Sequence, residues 1–150
     1  TGASRQQQTV PWTEIRTYDD VLALADRIEG DERIWRNYST AIGEALAASR
    51  AALEDMAHCT RRVVDVSGDG VSNEGIEPAT QRSAMNAADI IVNALAIETD
   101  KTDLTGYFYE NLITGPGAFV VTANGFEDYP EQIKRKLQRE TTKQVTQYAE

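Results

Sequence analysis

The stretch "RRVVDVSGDGVSNEG", Arg61 to Gly75, decides how this chain is read. Its first half has the β-branched, nearly continuous apolar character of a strand buried on both faces, and its second half is a loop of aspartates, serines, an asparagine and glycines. In an open parallel sheet, ligands bind at the carboxyl ends of strands, so Ser67 to Gly75 occupy a place where function is expected. A phosphate cradle there needs a glycine-rich turn entering a helix directly, and Asp69 and Glu74 would repel phosphate. A serine nucleophile at Ser67 or Ser72 needs a base in reach, and the sole histidine, His58, precedes the strand at its opposite end. A hard divalent cation suits the carboxylate and hydroxyl oxygens, with water completing the shell. The plain alternative is a turn whose polar side chains cap the following helix.

Outward from this stretch, strands alternate with helices. Upstream, "QQQTVPWTEI" reads as a β-prone edge segment interrupted by Pro11. A helix follows, with Thr17 and Asp20 spaced as a capping box, Val21, Leu24, Ala25 and Ile28 as its apolar stripe, and Gly30 at its end. A second helix places Ile42, Leu46, Ser49, Leu53 and Met56 on one face, small and alanine-rich enough to lie close to a sheet. Downstream, "EPATQRSAMNAAD" predicts a helix with Pro78 in its first turn, "IIVNALAIE" a buried strand, and "TDLTGYFYENLI" a helix. "TGPG" predicts a turn, "AFVVTA" a strand, and "FEDYPEQIKRKLQRETTKQ" a final amphipathic helix, whose basic run "KRKLQRE" reads as a solvated face complementing the helix dipole. This alternation predicts an α/β fold, a doubly wound, mostly parallel sheet with helices on both faces. Asp65, in the middle of a buried strand, requires partners, and Asn93 in the neighbouring strand is the expected donor of a structural polar pair.

At 150 residues and 41% hydrophobic, the chain suits one core. Its formal net charge of -9 opposes attraction to nucleic acid or anionic lipid. No apolar run reaches the roughly 18 residues of a membrane span. One histidine and one cysteine, His58 and Cys59, fall short of a metal-ligand set or a catalytic pair, and both read as structural.

Four motifs in one order, "RRVVDVSGDGVSNEG", "IIVNALAIE", "GYFYENLITGPGAFVVTANGFED" and "IKRKLQRE", resemble an uncharacterised bacterial branch of the von Willebrand factor type A domains, a domain of unknown function. The likeness runs from residue 9 to 140, with 141–150 as a helix extension or tail. It implies a Rossmann-like sheet and a metal-ion-dependent adhesion site built from a D-x-S-x-S motif, a Thr and an Asp on three loops. Asp69 is similar to that Asp and Thr40 to that Thr, although Tyr38 and Ser39 stand where the family usually has a glycine pair. "DVSGD" imitates D-x-S-x-S, but no later strand ends in Asp-Gly, which identifies it with the fourth-strand loop instead. Ser67, Ser72 and Asn73 would then form the rim.

The resemblance also implies that 1–150 spans the C-terminal two thirds of such a domain, without the D-x-S-x-S segment and the first strands. With family sheet order 3-2-1-4-5-6, "QQTVPW" would stand two strands from "RRVVDVS", roughly 10 Å of unpaired backbone. A complementing N-terminal segment or second chain is therefore expected, on which folding and full metal affinity depend. The expected function is protein binding, not catalysis: Mg²⁺, with Ca²⁺ or Mn²⁺ as alternatives, would hold an acidic group of a partner protein. A metal-independent assembly subunit is the rival, and a metal-dependent hydrolase is disfavoured by the lack of a general base near Asp69. The family relation implies a periplasmic or secreted protein, in which Cys59 would pair with a cysteine of the missing segment.

Overall fold

The computed structural model describes residues 2–32, 34–35, 39–99 and 102–147, with side chains up to residue 142. Eight elements follow in order: α1 (Tyr18–Glu29), α2 (Ile42–Glu54), β1 (Arg62–Gly68), α3 (Pro78–Ala87), β2 (Ile90–Ile97), α4 (Leu104–Asn111), β3 (Val120–Ala123) and α5 (Tyr129–Gln147). The strands form a parallel sheet in the order β1-β2-β3, as the alternating pattern predicts. Helix α5 continues through 141–147, and Tyr38 and residues 148–150 lie outside the described residues.

Strand β2 is the centre of the core because it is apolar on both faces. Its even-numbered residues Val92, Ala94 and Ala96 pack with Leu46 of α2, Met85 of α3 and Phe108 of α4. Its odd-numbered residues Leu95 and Ile97 pack with Ala123, Tyr129 and Ile133, on the face covered by α5. Alternation across the pleat thus sends one strand's side chains into two helical layers. The turn before β3 needs glycine: Gly115 has φ +92°, and a Cβ there would approach Ile91 Cγ1 to 3.0 Å. Beside it, Thr114 makes an antiparallel bridge to Val92.

Three expectations are corrected. The segment "QQQTVPWTEI" forms no strand: a strand needs a paired neighbour, and here a cavity of about 470 Å³, lined among others by Gln7, Trp12, Ala48, Ala52 and Val63, lies between this segment and β1. Gln6 instead donates to the carbonyls of Gly2 and Ala41. The stripe of α1 is not buried against the sheet; none of its residues is buried, although the Thr17–Asp20 capping box forms as read. The run "KRKLQRE" is not a wholly solvated face, nor does it sit at a helix end. It lies inside α5, where Lys136 is fully buried and Glu140 nearly so.

Candidate functional site

The C-terminal end of the sheet is assembled by two glycines and a set of side-chain hydrogen bonds. At the start of α2, Gly43 lies so close to Ile76 that a Cβ would overlap the Ile76 carbonyl. Gly75, with φ +79°, likewise leaves room for the Glu44 carboxylate, which accepts the Ile76 N–H at 2.8 Å. The loop 69–76 is therefore seated on the first turn of α2. Asn73 and Thr40 exchange two hydrogen bonds: Thr40 N–H donates to Asn73 Oδ1 at 2.9 Å and Asn73 N–H to the Thr40 carbonyl at 2.9 Å. Ser72 Oγ accepts the Ile42 N–H at 3.2 Å, and Ser72 N–H donates to the Tyr107 hydroxyl at 3.2 Å. Ser39 Oγ donates to the Glu74 carboxylate.

These bonds settle the local chemistry of the loop. Ala41, the N-cap of α2, offers no side-chain acceptor, and Ser72 supplies one from 30 residues away. The loop thus caps the helix that precedes it in sequence rather than the one that follows; α3 has Glu77 at its N-cap with no side-chain hydrogen bond. Ser72 and Asn73, read as rim residues, are committed to holding the two loops together.

Thr40 and Asp69 are brought to one place. Both line a cavity of about 240 Å³ with Asn73, Glu98, Thr99 and Thr102, and both also line a neighbouring one of about 460 Å³ that includes Ser67. Asp69 and Ser67 are exposed and Thr40 is half-buried. Glu98 was not foreseen here, and its carboxylate is already engaged: Oε1 accepts the Thr105 N–H and hydroxyl at 2.8 Å each, and Oε2 the Leu104 N–H at 3.4 Å. It caps α4, where a negative group also suits the helix dipole. Among the described residues, no group of three His, Cys, Asp or Glu side chains gathers around a common point. His58 and Cys59 are exposed before β1, at the end of the strand opposite Asp69.

The chain can also be placed among known sequences. The family model described as "Protein of unknown function (DUF1194)" matches residues 1–145. The chain belongs to the DUF1194 family. No curated protein matches it. In this DUF1194 chain, no helix among the described residues is long and apolar enough to cross a membrane.

A second polar centre lies between the sheet and α5, and the expectation of a buried β1 is corrected there: none of its residues is buried and Asp65 is exposed. Asp65 and Asn93 are paired residues in the β1–β2 register, as expected, yet they do not form the predicted donor–acceptor couple. Asn93 Nδ2 donates instead to Glu140 Oε1 at 2.6 Å, and Asn93 Oδ1 accepts the Phe119 N–H at 3.1 Å. Asp65 accepts from Lys136 Nζ, which also donates to Glu140 Oε1 at 3.1 Å. The reason is geometric: odd-numbered strand residues face α5, whose inward stripe Tyr129, Ile133, Lys136 and Glu140 ends in two charged side chains. Lys136 and Glu140 were missed, although the steps of four, three and four residues from Tyr129 through Ile133 and Lys136 to Glu140 were readable.

Proposed function

We propose that this DUF1194 chain is part of a protein-binding domain of the von Willebrand factor A type, with its binding surface at the C-terminal end of the sheet. The observation that carries this reading is the placement of Thr40 and Asp69, from two distant loops, on the same cavity. Their donors fit a hard divalent cation in kind: one exposed carboxylate and one hydroxyl, as Mg²⁺ accepts when water fills its remaining positions. In number they make a partial shell, so affinity from these residues alone is weak. Asp69 and Thr40 would hold the ion, and the ion would supply a positive centre for an acidic side chain of the partner. Ca²⁺ and Mn²⁺ accept the same oxygens. Binding rather than hydrolysis is favoured because the only histidine is at the far end of β1.

The test is titration of the folded chain with Mg²⁺ and Mn²⁺, read by calorimetry and by melting temperature. The ion should raise the melting temperature of the wild type and leave Asp69→Ala unmoved, while the two apo proteins melt alike. An equal response of both proteins to the ion, or none from the wild type, would refute the metal reading.

The rival reading, a metal-independent assembly subunit, is supported by a different observation. Among the described residues, nothing pairs with the outer edge of β1, which borders the cavity of about 470 Å³. An open edge with an adjoining groove suits addition of a strand from a complementing segment or second chain. A periplasmic or secreted location accords with either reading.

A further inference from the structure

Asp65, Glu140 and Lys136 form a cluster with two carboxylates and one ammonium. Lys136 is fully buried and the Glu140 side chain is 10% exposed, whereas the Asp65 side chain, on the sparsely covered face of β1, is 31% exposed. With all three groups charged, the cluster retains one uncompensated negative charge, and Glu140, the buried one of the two carboxylates, is the group that burial disfavours as an anion. One additional proton brings it to neutrality. Glu140 Oε1 already accepts from both Lys136 and Asn93, which leaves Oε2 as the oxygen to carry that proton.

We propose that Glu140 holds a proton beside Lys136 and Asp65, and that this proton latches α5 onto the sheet. Among the described residues, the charged groups facing Glu140 are few. β1 contributes Asp65, α5 contributes Lys136, and β2 and β3 carry no charged residue. The other charged residue of β1, Arg62, donates to the Ala88 carbonyl, and Arg139 lies over the Phe119 ring at 3.8 Å. Burial, then the Asp65 carboxylate, push the Glu140 carboxyl above its ordinary range, and Lys136 only partly offsets them. The docked state binds the proton more tightly than the undocked one. Docking is therefore strongest below the ordinary Glu range and weakens as pH rises through the raised value in the docked state. On alkaline release the proton passes to bulk water and Glu140 becomes a carboxylate beside Asp65.

The experiment is amide hydrogen exchange on the whole chain between about pH 5 and about pH 8, corrected for intrinsic exchange, together with carboxyl NMR titration of Asp65 and Glu140. In the wild type, protection over 133–142 should fall relative to β2 as pH rises through the raised Glu140 value. Glu140→Gln, neutral at every pH and still able to accept from Lys136 and Asn93, should abolish that slope. Asp65→Asn should lower the Glu140 midpoint. A flat wild-type profile, an unchanged slope in Glu140→Gln, or a Glu140 midpoint insensitive to Asp65→Asn would each overturn the proposal. Should Glu140→Gln fail to fold, the Asp65→Asn titration decides alone.

Discussion

Helices α1 and α5 are both amphipathic, and their surroundings are opposite. In α1 no residue of the stripe Val21, Leu24, Ala25 and Ile28 is buried, only Leu24 is half-buried, and Ile28 is 58% exposed. In α5 the stripe runs from Tyr129 and Ile133 into Lys136 and Glu140, and the charged pair is more deeply buried than the leucine between them: Leu137 is 50% exposed and Lys136 0%. Periodicity announces a helix with one distinct face; it does not say what that face meets. An apolar face without a partner and a charged face inside a core both follow from where the sheet lies, not from local pattern.

Several substitutions would break or sharpen this contrast. Lys136→Met should have the largest effect, about 3–5 kcal/mol in denaturant unfolding, because it leaves the buried Glu140 and its neighbour Asp65 without their cation. A loss under about 1 kcal/mol would mean that α5 is anchored by Tyr129 and Ile133 alone. Asn93→Leu should cost about 1–3 kcal/mol, since it strands the Phe119 N–H and one donor to Glu140; unchanged stability would show that the amide is dispensable. Gly43→Ala should cost about 1–3 kcal/mol by forcing Ile76 off α2, with the chemical shifts of loop 69–76 moving with it.

On α1 the expected effects are smaller and local. Thr17→Ala removes the capping box, worth about 1 kcal/mol to the helix, and should lower helicity at 18–29 while leaving the global melting temperature in place. Ile28→Ser should change stability by no more than about 0.5 kcal/mol. A larger loss would reveal a partner surface for α1.

The cap of α1 and the Glu140 seat of α5 should also respond to pH with opposite sign. The backbone N–H of Arg16 and then the hydroxyl and backbone N–H of Thr17 hold the Asp20 carboxyl below its ordinary range. Its contribution to α1 is present above the ordinary Asp value and is lost as pH falls through the lowered one. Asp128, ahead of α5, is lowered in the same way, first by the Asn124 N–H. Acid should therefore fray α1 and the first turn of α5, whereas alkali should loosen the seat of Glu140, as residue-resolved exchange can read.

By itself, the sequence determined the order of elements from α1 onward, the parallel α/β class, the Thr17–Asp20 cap and the proline-led start of α3, because each follows from spacing, turn chemistry or apolar pattern over a few residues. It also placed Thr40 and Asp69 on loops that the fold brings to one cavity. Tertiary structure alone decided that Ser72 caps α2 across 30 residues, that Glu98 is spent on α4, and that Asp65 answers to Lys136 across 71. It also decided that "QQTVPW", β-prone by composition, pairs with nothing among the described residues. The physical reason is common to all of these: propensity and periodicity are properties of a segment, whereas a hydrogen-bond partner, a counter-charge and a neighbouring strand are properties of the space into which that segment is folded.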